Sequence, residues 1–219
     1  MFGKIRALVV ASVLTSGLAT TATAATMTFT NAETTPSMTM VVDDTISAGN
    51  LRFSLSTTVG TADFLGLAFN FSGTSLSQSD ISFVSATRAD DTASVIDLEL
   101  FGDNTMSQNT CGGGCNFNGA GSATLFDYII RIGENGGGGQ GGINFVKSVV
   151  FDISTTATLA NSPFSGFAVR AQSTTNPGGS IKTNLVPDIP VVPVPASLPL
   201  LAFGLVGAGL LARRRKARS

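Results

Sequence analysis

The sequence predicts an all-β protein, an antiparallel two-sheet β-sandwich of jelly-roll-like topology, with a closed barrel as the alternative. Three observations predict it. Apolar residues recur with period 2 along most of the chain, the pattern of strands that bury one face. Short clusters of Gly, Asn, Asp and Pro separate these stretches and supply turns. No part of the body sustains a helical period.

Taken in chain order, the alternation places strands near residues 37–42, 51–57, 64–71, 80–87, 94–101, 124–132, 145–154, 164–171 and, as a ninth, 180–185. Leu51, Phe53 and Leu55 alternate with Arg52, Ser54 and Ser56. Leu65, Leu67, Phe69 and Phe71 alternate with Gly66, Ala68 and Asn70. Ile96, Leu98 and Leu100 oppose Val95, Asp97 and Glu99, so Asp97 and Glu99 share the solvent face. Phe126, Tyr128, Ile130 and Ile132 oppose Asp127, Ile129 and Arg131. Phe145, Val149, Phe151 and Ile153 share a face interrupted by Lys147, and Phe167, Val169 and Ala171 oppose Ala168 and Arg170. Turns are expected at Ala48-Gly49-Asn50, Ser72-Gly73, Asp90-Asp91, Gly102-Asp103-Asn104 and Asn176-Pro177-Gly178-Gly179. The chain carries 15 Phe, enough to fill much of one core.

The two ends read differently from the body. Lys4 and Arg6, an apolar run over residues 7–19 and Ala22-Thr23-Ala24 make residues 1–24 a secretory signal peptide, cleaved after Ala24. Residues 25–185 form the β-domain. Pro187, Pro190, Pro193 and Pro195 stiffen residues 186–195 into an extended linker. Residues 196–212 carry no charge and suit a short transmembrane helix. Arg213, Arg214, Arg215, Lys216 and Arg218 follow as a basic stop-transfer cluster that stays cytoplasmic. The body is then exported. Whole-chain charge is −1, but residues 26–192 hold 6 basic against 14 acidic residues, a net −8. Nucleic acid is an unsuitable partner for so acidic a domain.

Val192-Pro193-Val194-Pro195-Ala196, then the apolar span, then the Arg cluster, resembles a PEP-CTERM sorting signal of the VPLPA-type variant. Val194 stands where that family's core motif carries Glu. The resemblance implies recognition by an exosortase, a membrane-bound processing enzyme, after transient membrane insertion. It also implies release to the cell surface or extracellular polysaccharide matrix of a Gram-negative bacterium. Pro193 and Pro195 cannot continue a helix, so they hold the motif extended at the membrane surface. The segments at residues 62–71 and 164–173 also resemble a β-rich domain common in secreted proteins with this tail, which implies a sandwich and brings no assigned activity.

Candidate chemistry is sparse. With no His, the chain lacks an imidazole for a Ser-His-Asp or Cys-His centre or a His-ligated metal. Cys111-Gly-Gly-Gly-Cys115 reads as a disulfide in an exported protein, the glycines letting the chain curl. A redox role would need a lowered thiol pKa, for example from a nearby helix N-terminus or a cation, and no basic residue lies between Arg88 and Arg131. The Gly-rich stretch of residues 112–142 lacks the Gly-Lys-Ser/Thr ending of a phosphate loop and reads as a long loop. Asp90, Asp91, Asp97, Glu99 and Asp103, with Asn104, are surface charges or, alternatively, calcium ligands on loops, without EF-hand spacing. A glycosidase carboxylate pair is formally open, but no Trp is present to stack on sugar. Tyr128, the sole Tyr, reads as buried with its hydroxyl bonded. Function is therefore expected to be non-enzymatic and cofactor-free, that of a surface or matrix protein associated with exopolysaccharide or biofilm. The alternative is a carbohydrate- or calcium-binding sandwich module at the cell surface.

Overall fold

In the computed structural model the described residues are 25–119, 125–133, 145–175 and 179–188. The segments expected as signal peptide (1–24), sorting motif (192–196), apolar span (196–212) and basic cluster (213–218) lie outside them. The chain divides into two units, Met1–Val186 and Pro187–Ser219, and the β-domain is the first. Among the described residues no helix is long and apolar enough to cross a membrane.

Eleven strands are present: β1 (Thr26–Asn31), β2 (Ser37–Asp43), β3 (Asn50–Val59), β4 (Asp63–Phe71), β5 (Ile81–Thr87), β6 (Ala93–Ser94), β7 (Leu98–Gly102), β8 (Tyr128–Ile132), β9 (Ser148–Ser154), β10 (Phe164–Gln172) and β11 (Ser180–Pro187). They form one ladder in the order β6-β5-β9-β3-β2-β1-β11-β10-β4-β8-β7. The expected all-β antiparallel class is met: β1–β2, β2–β3, β3–β9, β5–β9, β5–β6, β10–β11, β4–β10, β4–β8 and β7–β8 all run antiparallel. The expected division into two hydrogen-bonded sheets is replaced by one continuous sheet that curls until its faces meet. Phe53 on β3 lies 6.4 Å from Phe69 on β4, although four strands separate them along the ladder.

Phe53, Phe69, Phe151, Phe164 and Phe167 form the centre of the enclosed core. Phe53 stacks on Phe151 at 5.1 Å and meets Phe164 edge-on at 5.4 Å. Phe69 sits 6.0 Å from Phe167. Burying each such ring stabilises the fold by roughly 1.5–3 kcal/mol. Tyr128 is fully buried among them, and its hydroxyl accepts the Leu76 N–H at 2.9 Å, as its lone polar atom requires.

Four β-bulges interrupt the ladder among the described residues, and three of them bear on which residues face the core. Gly66 pairs with Arg170 and Phe64 with Ala171, so Leu65 is the extra residue. Phe64 and Leu67 therefore enter the main core, and Leu65 turns to the opposite face, against the simple alternation. Val84 is extra between Phe83 and Ser85, and Gly166 between Ser165 and Phe167. Gly166 takes φ +79°, which brings both Phe164 and Phe167 inward.

The stretch expected as one strand at residues 94–101 is two. β6 ends the ladder beside β5, and β7 ends it beside β8. Residues 95–97 cross between these ends, which the curl has brought close. The Gln78 side chain closes the same seam: its Nε2 donates to the Leu98 carbonyl at 2.9 Å and its Oε1 accepts the Leu100 N–H at 2.7 Å. β8 is shorter than expected, since Phe126 makes only an isolated bridge to Gln108. β9 likewise starts at Ser148 rather than Phe145. β1 was not expected. Its buried Asn31 ties the turn to β2, accepting the Met38 N–H at 2.7 Å and donating to the Pro36 carbonyl at 2.8 Å.

Candidate functional site

A second, smaller cluster covers the outer face of β4, β8 and β10. Leu65, Ala68, Ile129 and Ala168 form its floor, and Cys111, Cys115, Phe117 and Phe126 cover them. The covering loop is a miniature hairpin. Cys111 N–H donates to the Cys115 carbonyl at 2.9 Å, and Phe117 N–H donates to the Asn109 carbonyl at 2.8 Å. The Cys111–Cys115 disulfide closes its tip across a Cα separation of 5.2 Å. Gly112, Gly113 and Gly114 all take positive φ, so this tip needs glycine for a backbone reason. Small residues on the floor are equally necessary. A Cβ at Gly66 would sit 2.8 Å from the Cys115 Sγ and 3.3 Å from the Cys111 Sγ.

Asp127 anchors the base of the loop. Buried, it accepts the Phe71 N–H and the Met106 N–H, each at 2.8 Å. Two carboxylate oxygens thus bind β4 and the loop at once. Gly102 allows this approach: it takes φ +119°, and a Cβ there would lie 2.0 Å from the Asp127 carbonyl oxygen.

The register aligns charge beside this cluster. Glu99 on β7 pairs with Arg131 on β8, Arg131 with Gly66 on β4, Gly66 with Arg170 on β10, and Arg170 with Lys182 on β11. Three of the six cations between residues 26 and 192 therefore lie in one cross-strand row. At one end Arg131 is ion-paired with Glu99, lies 5.5 Å over the Phe101 ring and donates to the Cys111 carbonyl at 3.5 Å. At the other end Lys182 Nζ donates to the Asn116 side chain at 2.5 Å and the Asn118 carbonyl at 2.9 Å. Arg170 Nη1 donates to the Ala171 carbonyl at 2.5 Å and the Ile181 carbonyl at 3.3 Å, and Arg170 Nε is buried without a partner.

The acidic residues considered as calcium ligands are spread out. Asp90 accepts the Thr92 N–H and hydroxyl at 3.1 and 2.6 Å, which hold its carboxyl below its ordinary value. Asp91 pairs with Lys147 at 2.6 Å, Glu99 pairs with Arg131, and Asp103 accepts the Thr105 hydroxyl at 2.5 Å. Asp97 and Glu99 are exposed, as the alternation expects. Among the described residues no three His, Cys, Asp or Glu side chains gather as a metal site would need. A separate groove of about 320 Å³ is lined by residues including Ser72, Thr74, Thr156 and Asn161.

Sequence reasoning singled out the Cys pair but not Arg170, Lys182, Gly66 or Asp127. Each looked like an ordinary strand position. Only the register, fixed over residues far apart in sequence, sets the cations in one row. No protein-family model, no curated protein and no solved structure matches this chain.

Proposed function

We propose that this is an exported, non-enzymatic protein of the cell surface or extracellular matrix of a Gram-negative bacterium, sorted by a PEP-CTERM-like tail and associated with exopolysaccharide. The observation that carries the reading is the three-part C-terminus: Val192-Pro193-Val194-Pro195-Ala196, an uncharged run over residues 196–212, and Arg213, Arg214, Arg215, Lys216 and Arg218. On this reading the Sec pathway exports the body and the signal peptide is removed after Ala24. The apolar run spans the membrane as a helix and holds the precursor, with its basic cluster inside. An exosortase-type enzyme then cuts near the motif and frees a jelly-roll-like sandwich domain. The disulfide supports export, because such bonds persist in oxidising compartments.

Intact-mass and terminal-peptide mass spectrometry of native protein from the cell surface and medium tests this. The expected mature chain begins at Ala25 and ends near residues 192–196. A mature chain that retains Leu198 to Ser219 would make the tail a permanent anchor and overturn the sorting reading.

A further inference from the structure

We infer that Arg170 and Lys182, beside the disulfide loop, bind an anionic substituent of an acidic polysaccharide. Three features of the structure lead there. Arg170 and Lys182 are directly opposed across β10 and β11, and like charges so placed repel. Among the described residues neither is ion-paired to a carboxylate, although the body carries an excess of acids. Arg170 Nε is buried with no acceptor, and a buried N–H left unmade is costly. An oxyanion drawn to the solvent side of the opposed pair would offset the repulsion through charge-assisted hydrogen bonds, without reaching the enclosed Nε.

The electrostatics agree with that geometry. Burial lowers the Arg170 pKa, and burial and then the Arg170 charge lower that of Lys182. A carboxylate or sulfate beside them would counter both effects by favouring the charged forms. The surroundings favour a sugar chain over a denser polyanion. Asn116 and Asn118 hold Lys182 in place beside Arg170 through their oxygens, and the Asn116 side-chain NH2 beside them can serve a sugar hydroxyl. A net −8 body repels the closely spaced phosphates of nucleic acid more strongly than the sparser anionic groups of a polysaccharide. The choice of a polysaccharide rests on the exopolysaccharide reading above.

The test uses the purified full chain at fixed ionic strength with four probes: polygalacturonate, a sparsely sulfated carrageenan, neutral dextran and duplex DNA. The expected result is binding to polygalacturonate or the carrageenan, whichever anion the site prefers, and none to neutral dextran. The double variant R170Q/K182Q should weaken that binding at least tenfold, and K147Q, a cation elsewhere on the body, should leave it unchanged. K182E sets a carboxylate opposite Arg170 and should abolish binding, with thermal unfolding showing that the domain still folds. A folded variant that no longer binds separates a ligand site from a merely structural pair. The proposal fails if no acidic polysaccharide binds, if K147Q weakens binding as much as the double variant does, if duplex DNA binds as tightly, or if K182E binds like the wild type. Its failure is distinct from failure of the sorting reading: a cleaved tail without polyanion binding removes only the site, and polyanion binding by an uncleaved chain removes only the sorting.

Discussion

Asp63 shows how a single residue can be invisible in a pattern and still organise its neighbourhood. It opens β4 and is 2% exposed. Its carboxylate accepts the Val146 N–H at 2.8 Å and a Gln172 side-chain N–H at 3.1 Å, joining the approach to β9 with β10. Burial pushes its pKa up, and the two hydrogen bonds counter this only in part. A raised pKa means that the folded state holds this proton to higher pH than the unfolded chain does. The stability Asp63 contributes is therefore complete below the ordinary carboxylate value of roughly 4 and is lost as pH rises through the raised value. Asp63→Asn cannot ionise and should lack this dependence. Thermal unfolding of both proteins from about pH 3 to about pH 7 is expected to show the wild type losing stability relative to the variant. A difference that stays constant over that range would show that Asp63 does not titrate as its burial requires. The sequence reading passed over Asp63 and Asp127 because acids beside apolar runs ordinarily face water. What makes them structural is the backbone N–H groups brought to them from distant segments.

At the scale of elements, alternation located β2, β3, β4, β5, β10 and β11 to within a few residues, most plainly β2, β3 and β11, which bury every second side chain along most of their length. It misjudged Leu65 because the apolar run 64–71 fits the simple alternation on either parity, and Gly66 beside the bulge reads as one more outward position. Gly166 did carry a signal, a lone Gly within a strand pattern. β1 stayed hidden because the buried partner of its Phe29 is a polar Asn31. The break between β6 and β7 is legible only once the ends of the ladder are known to adjoin, with Val95 left 88% exposed in the crossing. The Gln78 side chain covers part of the β7 edge as a neighbouring peptide group would, since a free edge invites pairing with another chain. Gln78→Ala should therefore cost about 1 kcal/mol. It should also speed hydrogen exchange at the Leu100 amide while leaving amides between β7 and β8 protected. Unchanged exchange at Leu100 would show that the seam is held by something other than this carboxamide.

For the whole molecule, the sequence reading anticipated two facing layers and the structure joins them into one ladder. Strand order depends on pairings such as β3 with β9, roughly a hundred residues apart, and no local pattern encodes these. The consequence is a large core shared by the whole curl and a small outer cluster whose cover is stapled by a disulfide. The two should respond differently to loss of the staple. A loop this short confines the unfolded chain little, so C111S/C115S should lower stability by roughly 2 kcal/mol rather than abolish folding. The main core lies on the other face of the sheet and keeps its aromatic packing. Exchange protection should fall at the Cys111 and Phe117 amides, which bond only within the hairpin, and persist in β3 and β9. The same variant loosens Asn116 and Asn118 beside Lys182, so polyanion binding should weaken with the outer cluster while the fold persists. Cooperative unfolding of the whole domain on removal of this one bond would show that the outer cluster supports the curl itself, and the division into a core that holds the fold and a covered face that presents the cations would have to be abandoned.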